Sequence, residues 1–193
     1  MAEMSCSEIF QEINKRQIIA LMFHDELADL YDFLGMNGFK RMHEYQYFAE
    51  SAEHRGLKRY YINHHNKLLP EVDIHYDKEL ARLDWYRYSR MDVTSQAKKQ
   101  TIESTFEKYN KWETETKQFY EDCAKKLFDM NMLADFNKVN DLIKDVDDEL
   151  KRLDRLLLSL KACNFNEVYI LSIQDGLHDK YKEKSKMIGI NIC

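Results

Sequence analysis

Residues 133–160 read LADFNKVNDLIKDVDDELKRLDRLLLSL. Phe136, Val139, Ile143, Val146, Leu150, Leu153, Leu157 and Leu160 recur at the three- and four-residue steps of a helix that buries one continuous stripe. No glycine or proline interrupts them. A helix with one apolar stripe needs partners to cover it, so this run predicts a bundle.

Reading outward, the same periodicity recurs three times. A break at Asn131 separates the run from a helix predicted over 94–130, capped by Thr94 or Ser95, with Ile102, Phe106, Tyr109, Trp112, Cys123 and Leu127 in its stripe. A first helix is predicted over 7–36, capped by Ser7, with Ile9, Ile13, Ala20, Leu27, Tyr31 and Leu34 inward and Gly35, Asn37 and Gly38 ending it. A second is predicted over 39–69, stopped by Pro70, the only proline. Its Ala49, Ala52 and Gly56 share a face and predict a close helix approach. Residues 70–94 are then a long packed crossover, with a short helix over 78–87 and Trp85 buried against the bundle. After Asn164-Phe165-Asn166 a fifth helix is expected over 167–186. The expected architecture is all-α: one domain over 1–193, a four-helix bundle over 7–160 with its long connection between helices two and three.

Composition narrows the function classes. Hydrophobic residues make up 44% and charged residues 33%, enough to build a core. The net charge is −5, and the lysines are local and interleaved with acids, so no nucleic-acid footprint is expected. Cys6, Cys123, Cys163 and Cys193 are far apart and read as free thiols of a reducing compartment. The longest apolar run, Ile18–Phe23, falls far short of the roughly 20 residues that span a bilayer. No secretory signal is evident, and cytoplasmic residence without membrane association is the expectation.

Acids embedded in apolar rows are the candidate site, because a carboxylate on a bundle's inner face is costly unless a cation or metal meets it. Glu26 sits among Ile19, Phe23, Leu30 and Phe33, and Glu149 among Leu142, Val146, Leu153 and Leu156. Glu113 follows Phe106 and Tyr109. Glu50 and His54 are four apart and can share a cation, and Glu53 lies beside the small-residue face. A first turn centred near residue 38 puts Glu26 level with Glu50, and a second near 131 puts Glu113 level with Glu149. Four carboxylates and a histidine at one height are the ligand set of di-iron and di-manganese bundles.

Several segments carry a resemblance to the ferritin-like superfamily. Glu26-Leu27-Ala28-Asp29-Leu30-Tyr31-Asp32-Phe33-Leu34 is similar to the first ferritin helix, where a ligand Glu precedes Leu and spaced aromatics. Trp112-Glu113 is similar to the Leu-Glu of the third helix, and Ala134-Asp135-Phe136 opens a ferritin-like fourth helix. Gly38-Phe39 through His43-Glu44 also resembles the DNA-protecting mini-ferritins, but their ligand positions hold Tyr31, Lys58 and Ile62 here. The family's Glu-x-x-His of helix two has no literal match: letter matching favours His64, and register favours Glu50, Glu53 and His54. The resemblance implies iron or manganese at a dinuclear site and a homo-oligomer. It leaves two functions open: metal-dependent oxidation or metal binding, and a non-catalytic scaffold acting through oligomer or partner contacts.

Overall fold

Ser5 opens the first helix. Its hydroxyl accepts from the Glu8 amide while the Glu8 carboxylate reaches back to the Ser5 amide, a reciprocal cap that satisfies two orphan donors. The cap is therefore Ser5 rather than the expected Ser7. In the computed structural model, which describes residues 4–75 and 89–187, the elements are α1 (Cys6–Phe33), α2 (Asn37–His65), a 3₁₀ turn (Arg90–Asp92), α3 (Ser95–Asp129), α4 (Leu133–Ala162) and α5 (Glu167–Met187). Among the described residues every helix expected from periodicity is present, and none is long and apolar enough to cross a membrane. The short helix expected over 78–87, with Trp85, lies outside the described residues.

α1 and α2 form one antiparallel hairpin, α3 and α4 the other, and α5 packs along α2. Gly35 closes the first turn at φ +73°, a backbone state that glycine adopts without strain. Asn37 and Gly38 do not break the chain there: they are the first turn of α2. Nor does Pro70 end α2, because Asn66 takes the left-handed conformation (φ 53°) and terminates it earlier. The close approach expected at Ala49, Ala52 and Gly56 falls elsewhere. Nothing lies within 4 Å of where a Gly56 side chain would start, whereas a Cβ on Gly38 would collide with the backbone of Gln174. The glycine that lets two helices touch is Gly38, under α5.

Two apolar clusters fill the bundle, one toward each end. The first gathers Phe23, Leu27, Tyr31 and Phe39 with Phe106, Leu153 and Leu157. The second gathers Ile9, Phe10 and Ile13 with Leu57, Tyr120, Leu127 and Val139. α2 ends at the second cluster and α3 begins at the first, so these two helices run in the same direction.

Candidate metal centre

Between the two apolar clusters each bundle helix turns polar on its inner face. α1 supplies Asn14 and Gln17, α2 supplies Gln46, Glu50 and Glu53, α3 supplies Glu113 and Thr116, and α4 supplies Glu149. Glu113 is 2% exposed and Glu149 8%. Four carboxylates thus share one belt across the middle of the bundle.

Their charges act on one another. The Glu50 carboxyl is held well above its ordinary range by burial, then by Glu53, Glu149 and Glu113. Burial and then Glu149 hold Glu113 up; Arg16 opposes them. That guanidinium is itself engaged, stacked 4.2 Å over Trp112 and bonded to the Thr116 hydroxyl at 2.8 Å. Burial, then the charge of Asp145, push Glu53 up to about 7, against a hydrogen bond donated by Gln17 Nε2 at 3.1 Å. Burial also raises Glu149, while hydrogen bonds from Tyr109 and Gln46 partly offset it. Free of metal at neutral pH, the belt therefore retains protons that exposed carboxylates would have lost.

His24 joins this set. One ring nitrogen of His24 and one oxygen each of Glu113 and Glu149 lie within 4.8 Å of one another. Burial drives the His24 imidazole down to about 3 and His43 well below its ordinary value, so both are neutral. Their Nδ1 atoms are 3.0 Å apart, which requires one to donate to the other. His24 Nε2 has no hydrogen-bond partner among the described residues, and neither has Gln17 Oε1. Buried polar atoms are almost always satisfied, and here two orphaned atoms stand beside four acids whose carboxyls are held up, a set that could hold a cation. The donor set, carboxylate oxygens with imidazole nitrogen, suits iron or manganese.

Of the residues expected from sequence, Glu50, Glu53, Glu113 and Glu149 come together. Glu26 does not join them: it is half-buried on the flank of α1, two residues past His24 and rotated off the inner face. His54 also stands apart, with its Nε2 2.7 Å from Asn14 Oδ1 and its imidazole pushed down to about 4. His64 stacks on Tyr60 near the end of α2. Sequence reasoning leaves out Gln17 and reads His24 as an ordinary packed or hydrogen-bonded histidine, and it also leaves out Gln46 and Tyr109 as site residues. A signal for the first two existed: Asn14, Gln17, Ala20, His24, Leu27 and Tyr31 repeat at three- and four-residue steps, but a search restricted to acids does not register an amide.

An opening of about 250 Å³ borders this belt. Tyr109, Gln46 and Glu149 line its inner side, and Arg152, Arg155 and Lys180 its rim.

No protein-family model matches the chain, and no curated protein does. A solved structure does: an engineered closed form of the ferritin of Archaeoglobus fulgidus, made by site-directed mutagenesis, superposes with a TM-score of 0.68 at 13% identity, over 91% of this chain and 96% of that one. Four long helices in two hairpins, the short fifth helix and this superposition agree, and the chain has the ferritin-like fold.

Proposed function

We propose that the polar belt is a dinuclear iron or manganese centre and that the protein binds these ions and carries out metal-dependent oxidation. The observation that carries this reading is the joint presence of Glu50, Glu53, Glu113 and Glu149 between two apolar clusters, each with its carboxyl held up by burial. In it the four acids surrender their protons to become ligands, so binding is coupled to proton release. His24 offers Nε2, with Nδ1–H donating to His43 and fixing the ring, the arrangement in which an outer partner orients a ligand histidine. Tyr109 and Gln46 hold one oxygen of Glu149 in place. Phe23, Trp112 and Tyr120 are buried, and Tyr120 lies near enough to feel the charges of Glu53, Glu50 and Glu113. A bound iron pair supplies the one-electron and oxygen chemistry that side chains lack. Small substrates reach Glu149 through the opening rimmed by Arg152, Arg155 and Lys180. Glu26 and His54 are not needed as ligands.

The test is anaerobic loading with Fe(II) followed by oxygen. The wild-type protein should develop a ferric absorption, and Glu113→Gln should lose most of it. Equal absorption in both proteins would overturn the reading.

A second reading is a ferritin-fold scaffold that acts through contacts, in the cytoplasm, as a homo-oligomer. Val168, Tyr169 and Leu171 at the start of α5 are exposed and apolar, which suits a contact surface. It predicts that metal neither binds nor stabilises the protein.

A further inference from the structure

At the end of the bundle remote from the α1–α2 turn, three side chains from three helices converge. Cys6 stands in the first turn of α1, His65 at the last residue of α2 and Asp135 in the first turn of α4. One ligand atom of each, a sulfur, a ring nitrogen and a carboxylate oxygen, lies within 4.8 Å of the other two. We propose that Cys6, His65 and Asp135 form a second metal site, selective for a zinc-class divalent ion and independent of the carboxylate belt.

The chemistry of the three donors is mixed: thiolate, imidazole and carboxylate together are the ligand types zinc takes. Tetrahedral bonds of about 2.0–2.3 Å put such donors about 3.3–3.6 Å apart. The observed separations bracket that: His65 Nε2 is 2.9 Å from Asp135 Oδ1, and Cys6 Sγ is 3.8 Å from Asp135 Oδ2.

Asp135 is the telling residue. It is 1% exposed, and a buried carboxylate needs strong partners. Its Oδ1 has two, the Tyr60 hydroxyl and His65 Nε2, each at 2.9 Å. Among the described residues its Oδ2 meets only the Cys6 thiol, a weak donor. A cation taking the place of the thiol proton would meet both the second oxygen and the sulfur. Charge balances as well: a divalent ion, a thiolate, a carboxylate and a neutral imidazole sum to zero. Burial and the adjacent Asp135 carboxylate push the Cys6 thiol up to about 12 in the metal-free chain, so binding of the ion releases the thiol proton.

The surroundings hold the donors still. Phe10 and Tyr61 pack against the His65 ring with centroids 5.8 and 4.5 Å away. Tyr60 is a positioning residue: bonded to the carboxylate, it plays the outer-shell part that in metal sites is worth about 10–100-fold in affinity. Three protein ligands leave one position for water or a small ligand. Cys6 and His65 are both partly exposed, so an ion can enter from the bundle end.

Co²⁺ is the probe, because a thiolate bound to it gives a near-ultraviolet charge-transfer band that carboxylate ligands cannot produce. Titrating the full chain should develop this band with one equivalent per chain. Cys6→Ser and Asp135→Asn should abolish it, Tyr60→Phe should weaken the affinity about 10–100-fold, and Glu113→Gln should leave it intact. Zn²⁺ should also protect Cys6 from alkylation, read by peptide mapping. Absence of the band in the wild-type protein, or the same band in Cys6→Ser, would overturn the proposal, as would Cys6 alkylation unaffected by zinc. The Glu113→Gln arm separates this failure from any failure of the belt.

Discussion

Replacing Glu53 with Gln exchanges a carboxyl that resists ionising for a neutral group of the same shape. The carboxyl moves from about 4.5 in the unfolded chain to about 7 in the fold. At 1.36 kcal/mol per tenfold, keeping it ionised at pH 8 costs the metal-free fold on the order of 3 kcal/mol. Because the charges of Asp145 and Glu149 contribute to holding Glu53 up, the relief depends on them as well, and the expected gain for Glu53→Gln is about 1–3 kcal/mol. The amide keeps the acceptor that Gln17 Nε2 uses and offers a donor to Asp145. Thermal melts in chelator at pH 8 should therefore show the variant melting higher, by about 2–4 °C per kcal/mol for a chain of this size. At pH 5 the fold protonates Glu53, and the advantage should shrink below about 1 kcal/mol. With Mn²⁺ added, the order should reverse, because the variant has lost a ligand. A Glu53→Gln protein less stable than wild type at pH 8 without metal would refute the electrostatic reasoning.

Metal-free stability should fall as pH rises from about 6.5 to 8, because acids with raised folded values bind protons in the fold that the unfolded chain has lost; chemical denaturation across that window measures it. Below about 6.5 the neutral, buried His24 and His43 act in the opposite sense, since the unfolded chain takes up protons that the fold refuses; the acids offset this until the unfolded carboxyls also protonate near 4.5, and below that stability should fall as pH drops toward 3. Gly38→Ala should destabilise by about 1–3 kcal/mol by pushing α5 off α2, and protease cleavage within α5 should accelerate. Ser5→Ala removes the α1 cap and should cost about 1 kcal/mol in a urea melt.

The helices were legible because their stripes are long and breakers are few. What the letters concealed was register. A turn centred at residue 38 pairs Glu26 with Glu50. The observed turn lies at Leu34–Met36, since Asn37 and Gly38 are helical, and the pairing slides. Gln17 then meets Glu53, and His24 meets His43. The second turn fell where Asn131 placed it, so Glu113 and Glu149 were matched correctly. A slip of three residues at one turn is enough to exchange an acid for an amide and a histidine. The bundle-end cluster was out of reach for another reason: Cys6, His65 and Asp135 share no short spacing, and only the convergence of three helix ends unites them. In the sequence Asp135 reads as part of a helix start, and its burial appears only in the fold.

The central claim is that the belt of acids holds a pair of metal ions. Anaerobic Fe(II) titration by calorimetry, in a Cys6→Ser background that removes the bundle-end thiol, tests it most directly. The account predicts binding of about two ions per chain, a rise in melting temperature because ligand binds the native state alone, and loss of both when Glu50 and Glu113 are changed together to Gln. Iron that does not bind, or that binds equally well to the doubly substituted protein, would contradict it.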